Sequence, residues 1–578
     1  MPLLRDLPGR PDERVLRQFV AALLFEELID AEVADIGDRR HFLWRLKGRS
    51  YRCQATIGAF GRIRIMPTSI EALGDDGFWR EADLRALLEG LPGTVEDRNR
   101  LLGELEQTAF FSRWNDANLA RVPRRSMPFA EIDAALDEGH SYHPCFKART
   151  GFDESDHQAY GPEAGNCFQL VWLSVACRYL DQSLPCDETE FWIAEIGEEG
   201  WNILSERRRA LGVDASQFGL LPLHPWQWEK LRDDGLAGLI ADGEVHFLGS
   251  AGDRYRASQS VRSLLNTDRP DQAGVKLAMN LVNTSSLRTI EPHSVCVAPV
   301  LSRWITAIVS GDPAFRSRYP LAVLSEYAGV VFDRDGPLAG QLAAIWRESV
   351  DSHLRPGEAA APLNALMVID HDGRPFADEW IERYGLSGWL DKLLDVVVMP
   401  VWHLLVGHGI ATEAHGQNLV LVHRNGWPTR LILRDLHDSV EYVPDYLRNR
   451  GAEPDFPALD LAYRNAEPNQ FYWMDSIGEL RELVVDCLFI YNLSEISDLL
   501  SERYGLPEQE FWARVESRLR RYASEHDLQL RQDQLRLGGE EIFTESLLSR
   551  KLHPSRSEHR HRVLNSLGLQ LIPCGEQS

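Results

Sequence analysis

The chain has 578 residues and carries 62 lysine plus arginine against 87 aspartate plus glutamate residues, a formal net charge of −25. That balance excludes a protein that grips nucleic acid through bulk positive charge. A composition of 44% hydrophobic and 26% charged residues also excludes a disordered, collagen-like or mucin-like chain.

In chain order, Met1 to Asp6 hold charge at Arg5 and Asp6 and no apolar run of signal-peptide length, which argues against secretion. Residues 13–35 have helical spacing, and 41–47, 51–57 and 62–66 read as short strands separated by glycine-containing turns. Helical patterns fill about 81–138, so the first unit is mixed helix and small sheet. Next, 164–180 is expected to be a helix and 275–283 a strand. Beyond about 377 the chain reads as mostly helical. It is interrupted by a hairpin at 419–423 and 430–434 around Arg424, Asn425 and Gly426, and closed by amphipathic helices at 477–500 and 508–525. The most apolar stretch, 396–405, is broken by Pro400 and His403 and is too short to span a bilayer, so a buried helix is expected. Eight cysteines without a CxxC pair predict a reduced, cytosolic protein with neither a disulfide framework nor a structural zinc site.

Four clusters place polar residues in apolar surroundings. In the first, His143, Lys147 and Arg149 lie close together among Phe146, Phe152 and Tyr160, a set suited to carboxylate or phosphate and equally readable as a solvated basic loop. In the second, His224 stands among Pro222, Pro225, Trp226 and Trp228 and reads as a packing knot. The third holds Ser260, Arg262 and Ser263, then Lys276, then Arg288. Alternation over 275–283 turns Lys276 away from the face of Val275, Leu277, Met279 and Leu281. Guanidinium forks, an ammonium and hydroxyls are what a polyphosphate site requires. In the fourth, a loop ending in Asn418, a hairpin, and Asp435 at its far end could bring two hard oxygen ligands to Mg²⁺, as an asparagine and a later aspartate do in kinase-like phosphotransferases. The third and fourth clusters together suggest an ATP and Mg²⁺ site between two units.

In their order and spacing, HPCFKARTGF with YGPE, LPLHPWQW, SQSVRS with NTSSLRT, and EAHGQN with RDLHD resemble the IucA/IucC family of siderophore synthetases over about residues 140–440. The resemblance implies an α+β fold shaped as a cupped hand, with antiparallel sheets and a largely helical C-terminal palm. Its parts would be a thumb over 1–139, fingers over 140–376 and a palm over 377–578. It further implies adenylation of a carboxylate by Mg·ATP bound between fingers and palm, then attack by an amine or alcohol. By motif, Ser260, Arg262 and Ser263 match a phosphate-binding Ser-x-Arg-Thr, with Ser263 where threonine is usual. Lys276 and Arg288 match a lysine and an arginine beside the α-phosphate and the carboxylate. Glu413, His415, Gln417, Asn418 and Asp435 match residues that meet nucleotide and metal, with Glu413, Asn418 and Asp435 as the metal ligands. Arg288, His415 and Lys276 would then be catalytic, His415 orienting the carboxylate. His143, Lys147 and Arg149, with Arg288 and His415, would bind substrate.

The HPCFKARTGF and NTSSLRT forms look closest to members that use free citrate, the type A group. A cytoplasmic homodimer acting on citrate is expected, with no membrane or nucleic-acid partner, and the nucleophile stays open. Two rivals remain: a kinase-like phosphotransferase, which would form ADP, and a ferric-siderophore binding or iron-release protein. The latter would need clustered cysteines near the C-terminus, where only Cys574 lies.

Overall fold

The computed structural model describes residues 10–36, 39–556 and 558–567; Met1 to Asp6 and Cys574 lie outside them. The first helix, Pro11–Phe25, starts with proline and acidic residues in its first turn, both suited to a helix N-terminus. It ends well before residue 35, because Glu27 takes φ 53° and the chain turns into the strand Ala31–Ile36. The strands expected at 41–47, 51–57 and 62–66 appear as Arg39–Leu46, Arg49–Ile57 and Ile63–Ile65 in a six-stranded antiparallel sheet. The helical region that follows divides into Leu84–Gly90, Val95–Asn118 and Phe129–Ala135, the first two capped by Asp83 and Thr94.

An eight-stranded antiparallel sheet forms the middle of the molecule, in the order Leu180–Ser183, Glu326–Phe332, Ala343–Arg347, Gly274–Leu277, Ser263–Asn266, Val245–Ala257, Phe168–Ala176 and Phe218–Leu223. The helix expected over 164–180 is therefore a strand, Phe168–Ala176. Residues 170–176 are all buried, so the two-residue alternation that marks a half-exposed strand is missing and the apolar run imitates a helix. Trp172, Trp192 and Trp346 pack edge to face on one side of this sheet. On the other side the helix Pro292–Gly311 packs against Glu326–Phe332; by length and composition it is apolar enough to cross a membrane.

The strand expected over 275–283 is also broken, into Gly274–Leu277 and Val282–Asn283, the second half of which turns back to pair with Ser286–Leu287. The break has a local cause: the Gln227 side chain accepts from the Asn280 backbone N–H at 2.8 Å and donates to Asn280 Oδ1 at 3.1 Å. The tryptophan-rich segment thus clamps the loop that carries Arg288, while His224 caps its own short helix by accepting from Trp226 N at 3.1 Å.

The expected hairpin is Leu419–Arg424 with Trp427–Leu433, closed by Asn425 at φ 50° and Gly426 at φ 88°, the left-handed pair that a tight hairpin turn demands. It belongs to a four-stranded sheet with Ala359–Pro362 and with Leu321–Val323, and the last pairing is parallel. This sheet joins residues on both sides of the expected boundary at 376 and 377. Residues 396–405 lie in the buried helix Leu386–Trp402 and its wider continuation. The helices expected at 477–500 and 508–525 are Ile477–Val484, a wide-turned segment Val485–Leu493, Ser494–Tyr504, and Glu508–Glu525.

Candidate active site

A cavity of about 970 Å³ opens between the central sheet and the C-terminal hairpin, at the upper end of the ~300–1,000 Å³ usual for small-molecule sites. Ser260, Arg262 and Ser263 reach it from the turn that joins Val245–Ala257 to Ser263–Asn266. Val261 in that turn takes φ 69°, a left-handed conformation that a β-branched residue rarely adopts. It is held there by hydrogen bonds from Val261 N to Ser258 O and from Ser258 N to Ser263 O, both 2.8 Å, and by burial of its side chain among Phe152, Trp226 and Met279. Packing thus supports about 1–3 kcal/mol of backbone strain, and the turn presents Ser260 and Arg262 side by side. Ser260 Oγ accepts from Ser263 N at 3.1 Å.

Two cations here are held by backbone carbonyls. Arg262 donates to the Thr289 carbonyl, and Arg288 donates to the Asn283 carbonyl at 2.5 Å. The Arg288 Nε has no partner, and among the described residues neither guanidinium forms an ion pair. Burial and the neighbouring Arg262 push the Arg288 pKa down to about 9, so it remains a cation at neutral pH under electrostatic stress. An anion would relieve that stress.

Lys276 is differently placed. Its Nζ lies 3.1 and 3.2 Å from the Asp435 carboxylate and 3.2 Å from His437 Nε2. Arg347 approaches the same carboxylate at 3.8 Å. His437 is fully buried, with Nδ1 2.9 Å from Glu326 and Nε2 2.9 Å from Asp438. Burial alone would lower its pKa, but Asp438 and Glu326 outweigh burial and hold the imidazole protonated. Burial likewise opposes the Asp435 charge, yet Lys276 and His437 hold that carboxyl well below the usual range.

Glu413 accepts from the Ser439 hydroxyl at 3.2 Å, and its carbonyl accepts from Asn418 Nδ2 at 3.1 Å, which leaves Asn418 Oδ1 as the atom to offer a metal. Burial and then the Asp435 charge push the Glu413 carboxyl up to about 7, against the Ser439 hydrogen bond and the Lys276 charge. Glu413, Asp435 and the Asn418 amide oxygen are hard donors that Mg²⁺ takes, so the residues fit that ion. His415 Nδ1 accepts from Gln417 N at 3.2 Å, which fixes the proton on Nε2. Burial lowers its pKa to about 4, so it faces the cavity as a neutral donor.

The first cluster splits. His143 lines the cavity, 1% exposed, with Nδ1 accepting from Cys145 N at 3.2 Å and Nε2 unpartnered. Lys147 and Arg149 do not reach it. Both side chains are fully buried: Lys147 is bound to Asp137 and lies 3.4 Å from Glu163, and Arg149 makes a forked pair with Glu163 at 2.8 and 3.0 Å. Their charge is used inside the loop, on Asp137 and Glu163, which themselves line the cavity, whereas the sequence reading expected both cations to bind substrate. Sequence reasoning passed over Glu326, His437, Asp438, Arg347 and Asp486. His437 and Asp438 stood in the RDLHD motif, and Glu326 was signalled by a carboxylate opening the otherwise apolar strand Glu326–Phe332.

Comparison with known proteins places the chain in a family. The IucA/IucC family model matches residues 128–368, and the model for a ferric iron reductase FhuF-like transporter matches 387–559. The chain is 34% identical over 576 residues to the citryl-spermidine/3,4-dihydroxybenzoyl-citryl-spermidine:spermidine ligase of Bacillus anthracis, covering 96% of this chain and 93% of that protein. It is 28% identical to aerobactin synthase of Escherichia coli, covering 90% and 89%. The crystal structure of the petrobactin biosynthesis protein AsbB from Bacillus anthracis superposes with a TM-score of 0.91 at 32% identity, covering 97% of this chain and 95% of that one. The chain belongs to the IucA/IucC family, and its activity class is that of the siderophore-biosynthesis ligases. In the segment that resembles FhuF, Cys487 is the single cysteine, so the clustered thiols of an iron–sulfur site are missing from it.

Proposed function

We propose that the protein uses ATP and Mg²⁺ to adenylate a carboxylate of citrate or of a citrate monoamide, and then joins that carboxylate to an amine, releasing AMP. One observation carries this reading: Arg262 and Arg288, which form no ion pair among the described residues, line a single cavity together with Glu413, Asn418 and Asp435. The Bacillus anthracis relative is named for citryl-spermidine, a citrate already joined to an amine. That name supports a substrate class wider than the free citrate suggested by the motifs.

In the first half-reaction a carboxylate oxygen attacks the α-phosphorus of ATP, and the bond to pyrophosphate breaks. Both reactants are anions, and citrate carries about three charges at neutral pH, so the barrier is largely electrostatic. Arg262 and the Ser260 and Ser263 hydroxyls bind the phosphates. Lys276, pinned by Asp435, supplies charge beside the α-phosphate, and Arg288 holds the attacking carboxylate. His415 donates from Nε2 to orient it, and His143 offers a second imidazole. Mg²⁺, held by Glu413, Asn418 and Asp435, would neutralise phosphate charge. In the second half-reaction the amine nitrogen attacks the activated carbonyl carbon. The bond to AMP then breaks and the nitrogen's proton passes to solvent.

A screen of carboxylates for pyrophosphate release tests the reading. Release with citrate or its monoamide, and with no added amine, is the expected result; ADP formation would identify a kinase-like phosphotransferase instead.

A further inference from the structure

Part of the cavity lining is a group of carboxyls outside the nucleotide and metal residues. Asp486, from the wide-turned segment Val485–Leu493, and Glu545, from the strand Glu541–Glu545, form one acidic stretch of that wall. Asp486 is 5% exposed, and its Oδ2 accepts from Glu545 N at 2.9 Å. Among the described residues its Oδ1 accepts no hydrogen bond of ordinary geometry; burial pushes the carboxyl well up, and the Thr544 hydroxyl, which donates to Tyr491 Oη at 3.4 Å, lies close enough to oppose that only in part. A buried carboxylate oxygen left unpaired is costly unless a donor arrives.

Glu441, opposite Ala411 across the strand pair Ile410–Thr412 and Val440–Tyr442, adds to the same field. Burial, then Glu479, Glu413, Glu482 and Glu545, push its carboxyl up to about 8. The nearby arginines are already committed: Arg550 pairs with Glu545, and Arg560 pairs with Glu479 and Glu482. Glu495 and Asp498, also on the cavity wall, are held by Arg62 and Arg64. Among the described residues, neither Asp486 nor Glu441 forms an ion pair. A hydroxyl or amide would satisfy Asp486 Oδ1 but leave these crowded carboxyls, held toward the protonated form by burial and by one another, without a cation to ionise against. An ammonium group supplies both the donor and the cation.

We propose that Asp486, backed by Glu441 and Glu545, is the subsite for the second, protonated amino group of a diamine or polyamine nucleophile. The protein then prefers such amines to monoamines, amino alcohols and amino acids. The proposal rests on the ligase reading above. One amine of the nucleophile attacks as the neutral base, forming the C–N bond while the C–O bond to AMP breaks and the proton leaves to solvent. The other stays charged at Asp486 and sets the register. An amino acid brings a carboxylate toward the same wall and is repelled.

The test compares diaminobutane, butylamine and aminobutanol as nucleophiles, with citrate and ATP, on the intact protein and on Asp486→Asn. The expected kcat/KM for diaminobutane exceeds that for the other two by about 10- to 100-fold, the range of a charge-assisted hydrogen bond. That ratio collapses in Asp486→Asn while butylamine turnover persists. If Asp486→Asn is unfolded by circular dichroism, Glu545→Gln replaces it and is expected to reduce the same ratio. Equal turnover of the three amines by the unsubstituted protein, or an unchanged ratio in a folded variant, overturns the subsite. Carboxylate-dependent ATP–pyrophosphate exchange by the unsubstituted protein, measured without amine, separates this failure from failure of the adenylation reading.

Discussion

Replacing Arg288 with methionine should harm function and improve stability at once. Arg288 is held in the cavity by one carbonyl contact of 2.5 Å, with Nε unpartnered and Arg262 as a like-charged neighbour. Exchanging a poorly compensated buried charge for an apolar side chain of similar length stabilises by about 1–4 kcal/mol in comparable cases. Arg288→Met should therefore unfold at a higher temperature or denaturant concentration than the parent when both are free of ligand. Losing one preorganised donor to the reacting carboxylate and α-phosphate costs about 10²- to 10³-fold in rate. The assays are denaturant unfolding followed by circular dichroism, and citrate-dependent ATP–pyrophosphate exchange. A variant that is destabilised, or that keeps near-parental exchange, refutes the claim that Arg288 waits in strain for an anion.

Other substitutions separate scaffold from chemistry. Arg149→Ala leaves Glu163 buried with a single cation, and should lose about 3–5 kcal/mol of stability with little change in the KM for citrate of whatever remains folded. Gln227→Ala frees the Asn280 N–H and loosens the loop that carries Arg288; about 1–3 kcal/mol of stability and a raised KM for the carboxylate are expected from unfolding curves and steady-state kinetics. Glu26 is buried, and burial pushes its carboxyl up to about 7 against hydrogen bonds from Tyr142 Oη and from Leu548 N and Ser549 N. The folded state therefore binds more protons than the unfolded chain between about pH 4.3 and 7, and stability falls as pH rises through that window. Melting temperatures measured at about pH 5.5 and 8 should show the decline, and Glu26→Gln should flatten it.

Legibility followed how strongly each feature was written in local pattern. The hairpin 419–433 was readable because Asn425 and Gly426 form an unmistakable left-handed turn between apolar runs. Phe168–Ala176 was not, because complete burial erases the alternation by which a strand is recognised. Arg262, Lys276, Arg288, Glu413 and Asn418 were placed in one cavity by motifs spread over more than a hundred residues. The same reading sent Lys147 and Arg149 there too, and only the three-dimensional position of Glu163 and Asp137 shows where their charge is used. Asp486 carried no motif, and its meaning is an unpaired oxygen that a sequence cannot display. The net charge of −25 acquires a location as well: part of the acidic surplus lines the same cavity as Arg262 and Arg288.

The central claim is attack of a carboxylate oxygen on the α-phosphorus, and oxygen tracing tests it most directly. Citrate labelled with ¹⁸O in its carboxylates is incubated with the protein, ATP, Mg²⁺ and an amine, and the phosphorus products are weighed by mass spectrometry. Adenylation predicts that each turnover leaves one labelled oxygen in AMP and none in pyrophosphate. Label in inorganic phosphate with ADP as the co-product would place the attack on the γ-phosphorus and contradict the account.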